Sequence, residues 1–401
     1  MAEARRLTGR SPLRLKWIDT NKGDMANPLL RSRLVCTEVR RKGVEAIFAA
    51  TPPLESLRIL ITYLCQFDPE GDADPLCMVL ADISRAHFYA RATRDVFIKL
   101  PEEDPQARDP EVCGKLLRTM YGTLDAAEKW SEHYAEILIK AGFTRGTASP
   151  CHFTHPEWGV NLLVHGDDFV IVARSQGRQK TTDLLSKHFE MKHEVAGPCP
   201  GMAKELKVLG RVITCHSWGW SMEADPGLIE AAVEKLGLSE AKGAVSPGAK
   251  VDGPSGFDIR ARRLQPKDLD DPDGEWPGFD ISARLDGDRL RLYQSVSALL
   301  NYVAFDRPDL LYPIKELMRK MSDPSEADEA RLKRAVRYLR TAPRMIARYP
   351  WRALDKVIDV FTDSDHAGCP RTRRSTVCGG GILWGGDVSS KHGRRPSRYW
   401  H

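Results

Sequence analysis

Apolar positions recur along this chain with two spacings, every second residue and every third or fourth, and the switches between them mark out its elements. Residues 14–50 read as short strands joined by polar turns at Lys22-Gly23-Asp24 and Lys42-Gly43. Pro53 opens a helix from Leu54 to Cys65, with apolar residues at helical spacing. Leu76 to Ala81 is a short apolar run of the kind that makes a buried strand, and it exits on Asp82. From Asp125 to Ala141 the spacing predicts a helix whose stripe is Trp130, Tyr134, Ile137, Leu138 and Ala141, closed by Gly142. Packing against a core accounts for that stripe fully. Short strands follow around Cys151–Thr154, then a hairpin over Val160–Val172, then helices over Lys180–Phe189 and Gly227–Leu236.

Periodicity is lost over 245–290, which holds Pro247, Pro254, Pro266, Pro272 and Pro277 with the acids Asp268, Asp270, Asp271 and Asp273. A local echo lies inside it, Gly256-Phe257-Asp258-Ile259 recurring as Gly278-Phe279-Asp280-Ile281. Two copies are too few for a solenoid, so the stretch reads as an inter-domain linker. Residues 291–341 are helical, and Ser325 with Asp328 forms a capping box at the start of the last helix. Asp355 to Phe361 then alternates as a strand that runs into Thr362-Asp363-Ser364-Asp365, and a second strand follows at Gly379–Trp384.

A chain of 401 residues has room for two or three cores, and its composition is that of a globular protein. Its apolar runs fall short of a membrane span of about 20 residues. The basic start, Met1 to Arg14, lacks the apolar centre of a secretory signal. The nine cysteines are scattered without a Cys-x-x-Cys pair, which points to buried reduced thiols in an intracellular protein and away from zinc. Net charge is only +5, yet residues 1–42 carry eleven Arg and Lys against four acids. Basic stretches suit a polyanionic partner, although for any single residue a solvated surface is the better reading.

The strongest chemical signal is Asp167-Asp168, set between the apolar runs Leu162-Leu163-Val164 and Phe169-Val170-Ile171-Val172. Adjacent carboxylates at a hairpin tip cannot both stay ionised without a compensating cation, and Mg²⁺ takes carboxylates together with substrate phosphates. Nucleotide addition needs two metals about 3.5–4 Å apart, clamping the attacking and leaving oxygens. Asp82 at a strand end and Asp167-Asp168 at a hairpin tip are suitable suppliers. Arg33 and other basic residues of the N-terminal strands are candidates to neutralise a triphosphate. An Asp-Asp pair alone often only makes a turn; its place between two strands raises its weight.

At this point a family becomes visible in the order of the motifs. Lys16-Trp17-Ile18 and Arg31-Ser32-Arg33-Leu34-Val35 resemble the finger strands of the reverse transcriptase of copia-type LTR retrotransposons. Phe48 to Arg58 is similar to that family's "FAPV-x-x-LES-x-R", Asp82 to Phe88 to its "DV-x-x-AF", and Lys115 to Gly122 to its "KL-x-KSLYG". His165-Gly166-Asp167-Asp168 stands at its "Y-V-D-D", and Glu205 to Gly210 resembles its "L-x-x-FLG" strand. Downstream, Leu292 to Val296 and Asn301 to Asp309 look like the helical connection before ribonuclease H, and Thr362 to Gly368 like that domain's first strands.

The resemblance implies an α+β, right-hand polymerase of fingers, palm and thumb over residues 1–245. It further implies a linker over 246–290, a helical connection over 291–350 and a ribonuclease-H-like piece over 351–401. It implies an RNA-directed DNA polymerase with Asp82, Asp167 and Asp168 as catalytic and metal-binding carboxylates and Mg²⁺ or Mn²⁺ as cofactor. Arg33, His87 and Phe88 would bind nucleotide, and Asp363 would be a remnant of the ribonuclease H metal site. The partners implied are RNA template, primer, RNA/DNA hybrid and dNTPs, in a cytoplasmic protein with a virus-like particle and a nuclear phase as further settings. His87 stands where the family has Phe beside the incoming sugar, and Gly166-Asp167-Asp168 is also a core found in viral RNA-dependent RNA polymerases. Thr123 to Glu128 departs from the family's "LKQAPR", and Asp125 and Glu128 are expected to put negative charge near the template. Because the chain ends at His401, the ribonuclease H piece is expected to be truncated and inactive, and the whole a part of a longer polyprotein. The alternatives are a transposon remnant that only binds nucleic acid, a viral-type RNA polymerase, and a structural protein in which the three acids are surface turn residues lying far apart.

Overall fold

The computed structural model describes residues 1–21, 23, 27–39, 49–66, 73–248, 283–352, 358–364 and 377–384, the last two as backbone only. The Lys42-Gly43 turn, Phe48, the duplicated segments and residues 249–282 of the expected linker lie outside the described residues. The chain divides into two compact units, Met1–Ala203 and Lys204–His401.

The first unit begins with helix α1 (Ala2–Thr8) and the antiparallel pair β1 (Leu15–Asn21) and β2 (Leu30–Cys36). Helix α2 (Leu54–Leu64) starts after Pro53, as the proline predicts. Then come β3 (Cys77–Ile83), the short pair β4 (Phe97–Ile98) and β5 (Gly114–Lys115), and helix α3 (Ala126–Lys140). After them run β6 (Thr144–Arg145), β7 (His152–His155), β8 (Val160–His165), β9 (Asp168–Ala173), helix α4 (Ser175–His188) and β10 (Met191–Ala196). Six of these strands form one sheet in the order β10-β3-β9-β8-β7-β6, antiparallel throughout.

The two faces of that sheet can be read from its register, because directly opposed residues project to the same side. One face carries Val79, Ala81 and Ile83 of β3 with Phe169, Ile171 and Ala173 of β9, and it packs on Trp130, Tyr134 and Leu138 of α3 and Leu185 of α4 in one core. The α3 stripe is therefore the one the spacing predicts, and Gly142 ends the helix with φ +99°. The other face reads Met78, Leu80, Asp82 along β3 against Val172, Val170, Asp168 along β9. It stays apolar until its last row, where both strands present a carboxylate. Both apolar faces explain why β8 and β9 read as continuous hydrophobic runs rather than alternating ones.

Helix α4 starts five residues earlier than the apolar spacing predicts, at Ser175 rather than Lys180. The reason is tertiary: the Asp74 carboxylate accepts from the Ser175 backbone N–H at 3.0 Å and from its hydroxyl at 2.8 Å. That cap comes from a segment about a hundred residues away and replaces the local one a sequence would show.

The second unit contains β11 (Glu205–Val208), β12 (Arg211–His216), β13 (Gly219–Ala224), α5 (Pro226–Lys235), α6 (Gly287–Ala304), α7 (Pro308–Met318), α8 (Glu326–Thr341) and β14 (Ala347–Pro350). β14 closes a four-stranded sheet, β11-β12-β13-β14, and Ile229 and Ala232 of α5 share a core with α6, α7 and α8. The capping box at Ser325 and Asp328 is present in both directions. The expected helical connection thus resolves into three helices. Its Asp306-Arg307-Pro308-Asp309 run is structural: Arg211 holds Asp306 at 2.9 Å, and Arg307 holds Asp309 at 2.8 Å. Backbone strands β15 (Ile358–Ser364) and β16 (Val377–Trp384) pair antiparallel, with a register shift between Thr362 and Ser364 at Asp363, whose side chain lies outside the described residues.

Candidate active site

The β8–β9 connection is a two-residue turn, Gly166-Asp167. Gly166 has φ +64° and Asp167 is not among the positive-φ residues, the pattern of a hairpin turn that favours glycine at its first place. Nothing stands within 4 Å of where a Gly166 Cβ would project, so the glycine answers to backbone conformation and not to crowding. The turn is held from two sides. Ile83 N–H donates to the Asp167 carbonyl at 3.0 Å, and the buried indole of Trp130 donates to the Gly166 carbonyl at 2.7 Å. Trp130→Phe keeps most of the aromatic packing and removes that bond, so it should lower stability by about 1–2 kcal/mol. Chemical denaturation checks it, and hydrogen exchange at Asp167 should rise more than at Val172.

The register brings the three predicted acids together. Asp82 is the direct partner of Asp168 across β3 and β9, and Asp167 precedes Asp168 in the turn that bonds to Ile83. The electrostatics agree. The Asp168 carboxyl is pushed up to about 6, first by burial and then by the charges of Asp167 and Asp82. Asp82 itself is exposed, while Asp167 and Asp168 are partly covered. The reading that made these acids scattered turn residues does not describe this geometry.

Among the described residues no three His, Cys, Asp or Glu side chains close into a ready-made cage for an ion. The donor chemistry nevertheless fits a hard divalent cation: three carboxylates sharing one sheet end, with a raised pKa that a cation would relieve. Uncompensated carboxylates repel one another, so splayed side chains are what this arrangement should adopt by itself.

Facing the acids is an aromatic and cationic wall. The His87 ring stacks on Tyr121 with centroids 4.4 Å apart, and Phe88 meets the same ring edge-on at 5.7 Å. The Arg33 guanidinium lies 5.7 Å from the centre of Tyr121. The Tyr121 hydroxyl is pushed up, chiefly by burial, with Asp167 and Asp82 acting in the same sense and Arg33 and Arg31 against it. Strand pairing sets Ile18 opposite Arg33, Thr20 opposite Arg31 and Lys16 opposite Val35, so Lys16, Arg31 and Arg33 share one face of the β1–β2 hairpin. The three predicted nucleotide-side residues are therefore all gathered around Tyr121, a residue that no charge pattern singled out. Burial pulls the His87 imidazole below its ordinary pKa, although Asp167 opposes this, and its Nδ1 is buried without a hydrogen-bond partner among the described residues.

A buried ion triad ties the segment after β2 to the start of α3. Arg94 donates to Glu38 at 2.8 and 2.5 Å and to Asp125 at 2.8 Å, and Glu38 also accepts from Leu124 N–H at 2.9 Å. Asp125 is thus neutralised inside the protein and does not present its charge to a template, and Glu128 has the Lys129 ammonium 3.7 Å away. The expectation of exposed negative charge is corrected for Asp125; Glu128 stays about one-third exposed, and the nearby Lys129 ammonium is hydrogen-bonded to Glu132 at 2.8 Å. Beside the triad, Cys36 N–H donates to the Tyr121 carbonyl at 2.8 Å, and a side chain at Gly122 (φ +86°) would come within 1.9 Å of the Cys36 carbonyl oxygen. Only glycine lets the base of the β1–β2 hairpin close onto Tyr121.

Comparison with known proteins gives this arrangement a family. The sequence profile described as reverse transcriptase (RNA-dependent DNA polymerase) matches residues 5–247, more than half of the chain. The chain belongs to the reverse transcriptase family. It is 23% identical over 392 residues to the retrovirus-related Pol polyprotein from transposon TNT 1-94 of Nicotiana tabacum, covering 94% of this chain and 27% of that protein. It is 24% identical over 335 residues to the Pol polyprotein from transposon RE1 of Arabidopsis thaliana, 82% of this chain and 20% of that one. The putative transposon Ty5-1 protein YCL074W of Saccharomyces cerevisiae is 23% identical over 313 residues, 76% of this chain and 91% of its own length. The copia-type resemblance drawn from the motifs is borne out. The chain spans between a fifth and about a quarter of the length of the two plant polyproteins. No described helix is long and apolar enough to cross a membrane.

Proposed function

We propose that this chain is an RNA-directed DNA polymerase that extends a primer on an RNA template by two-metal nucleotidyl transfer. The observation that carries the reading is the pairing of Asp82 with Asp168 beside the Asp167 turn, inside a region that belongs to the reverse transcriptase family. In this reading the six-stranded sheet with α3 and α4 is the palm and the β1–β2 hairpin is part of the fingers. Residues 1–245 make up the polymerase, 291–350 its connection, and 351–401 a ribonuclease-H-like piece with Asp363 at its first acid position.

Asp82 and Asp167 would hold two Mg²⁺ or Mn²⁺ ions, with Asp168 supporting them. When bound, such ions activate the primer 3′-hydroxyl and stabilise the charge that develops on the leaving oxygen. The protein's own part is to position. Ile83 N–H and Trp130 fix the turn so that Asp167 stays beside Asp82. Arg33, with Arg31 and Lys16 on the same hairpin face, would balance the triphosphate, as a guanidinium suits phosphate oxygens. His87 and Tyr121 form a flat, partly buried wall for the sugar, and Phe88 buttresses it.

The test is primer extension by the full chain on poly(rA)/oligo(dT) with dTTP and Mg²⁺. Extension that needs the divalent ion and strongly prefers dTTP to rUTP is the expected result. Salt-sensitive template binding without any extension would instead support a remnant that only binds nucleic acid, and a preference for rUTP would support an RNA-making enzyme.

A further inference from the structure

A cavity of about 360 Å³ opens where the start of the chain meets the segment after β2 and strand β4. That volume lies at the low end of small-ligand sites. Leu7, Pro12 and Phe97 give it an apolar wall, and Arg10, Arg94 and Glu38 a polar one. None of its lining residues belongs to the carboxylate row. Backbone bonds fix the rim: Leu13 N–H donates to the Phe97 carbonyl and Lys99 N–H to the Leu13 carbonyl, both at 2.8 Å. The Met1 ammonium anchors α1 on the Glu111 carbonyl at 2.6 Å.

Two arginines of this lining have donors to spare. Arg10 is exposed, and among the described residues its guanidinium has no ion pair or hydrogen bond. Arg94 is about one-third exposed, and of its N–H donors one on Nη1 and two on Nη2 go to Glu38 and Asp125. Its Nε is buried without a partner, and the second Nη1 hydrogen is unspent. The remaining acid of the lining, Asp95, is engaged by Lys115 at 2.7 Å. An anion entering here meets one free cation and one partly spent one.

We propose that this cavity binds a small amphipathic carboxylate, its apolar body on Leu7, Pro12 and Phe97 and its head on Arg10 and the spare Arg94 donor. A guanidinium fork matches the two oxygens of a carboxylate. The bound head also acts on the triad. It brings a third negative charge to a guanidinium that Glu38 and Asp125 already share, and like charges at that range weaken one another's hold. Glu38 accepts from Leu124 N–H at 2.9 Å, and Cys36, two residues earlier, bonds to Tyr121. Occupation therefore loosens the base of the β1–β2 hairpin, which carries Arg31 and Arg33, and the cavity acts as an inhibitory site. The inhibition rests on the polymerase reading above; the binding does not.

An arginine at a cavity rim can equally be a solvated charge, and calorimetry of the full chain with 2-naphthoate separates the two. One site per chain is expected, about tenfold weaker for uncharged 2-naphthamide and about tenfold weaker in Arg10→Gln, with Arg10→Lys recovering part of the loss. Leu7→Trp fills the cavity without touching a charge and should remove the binding. Equal binding by the parent and either Arg10→Gln or Leu7→Trp overturns the site and leaves the polymerase reading standing. Bound 2-naphthoate should also speed hydrogen exchange at Leu124 and raise KM for dTTP, each by about fivefold, the low end for coupled sites. Exchange that does not change overturns the link through the triad. Exchange that rises in a parent that extends primers, with KM unmoved, overturns the inhibition and supports the site. Binding and exchange that respond in a parent without extension support the site and count against the polymerase reading alone.

Discussion

Asp167→Asn is expected to lower the rate of primer extension by on the order of 10²–10³-fold, the scale of losing one charge-stabilising group at a reacting centre. The fold should survive, because the Asp167 carbonyl bond to Ile83 is a backbone bond and the carboxylate makes no hydrogen bond among the described residues. The substitution also removes a like charge from Asp168, whose folded-state pKa of about 6 lies above the ordinary carboxylate value. A carboxyl with a raised folded pKa is held protonated more tightly by the folded chain than by the unfolded one. It therefore costs nothing in acid, begins to cost as pH rises above about 4, and costs most above pH 6. For a group that is only partly covered, solvent screening limits that cost to about 1 kcal/mol. Without divalent ions, Asp167→Asn and Asp168→Asn should thus be slightly more stable than the parent at pH 7.5 and equal to it near pH 4. Excess Mg²⁺ should remove the difference at pH 7.5. Denaturant titrations at the two pH values, alongside the extension assay, read both effects. A variant that extends primers normally would remove Asp167 from the chemistry.

Arg94→Ala should destabilise the first unit by about 3 kcal/mol. Removing one partner of a buried ion pair strands the other, and here two carboxylates are stranded at once, with Glu38 4% and Asp125 7% exposed. The figure is at the low end because Arg94 itself is about one-third exposed. The loss should depend on pH in a defined direction. Burial, the largest influence, pushes both carboxyls up, but the Arg94 hydrogen bonds and charge together with backbone N–H bonds outweigh it and hold them below the ordinary range. In the parent that stabilisation is present above about pH 4 and is lost as pH falls through the lowered values. In the variant burial and the mutual repulsion of the two carboxylates prevail over the bonds that remain, so protonation in mild acid relieves the strain. The gap between parent and variant should shrink from pH 7 to pH 4, and Glu38→Gln in the Arg94→Ala background should recover part of it. A gap unchanged with pH would mean that the triad is not the source. Because Glu38 also holds Leu124 at the entry of α3, the variant should loosen the β1–β2 hairpin and raise KM for dTTP more than it lowers kcat.

The elements around the site were legible because their signals are local. Short apolar runs, a Gly-Asp turn between two of them and an acid at a strand exit identify β3 and the β8–β9 hairpin without knowledge of the rest. The three acids were named from the same signals, and ordered motifs told them apart from ordinary turn residues. Tyr121 and Arg94 were not assigned roles, and Trp130 was assigned only to the core stripe of its helix, for a common physical reason. Their significance lies in long-range partners: Tyr121 under Arg33, Arg94 between Glu38 and Asp125, Trp130 against Gly166. A lone cation or aromatic carries no mark of what it will face. Asp125 shows the same limit from the other side, since its charge looked exposed in the sequence and is buried against Arg94. The early start of α4 belongs here too, as its cap comes from Asp74 across the fold.

The convergence of Asp82 with Asp167-Asp168 on shared divalent ions is tested most directly by anomalous scattering. Crystals of the chain with Mn²⁺, dTTP and a chain-terminated primer on its template should show manganese bonded to oxygens of both Asp82 and Asp167, next to Asp168. Manganese bound elsewhere on the nucleotide, with these carboxylates bare, would contradict it.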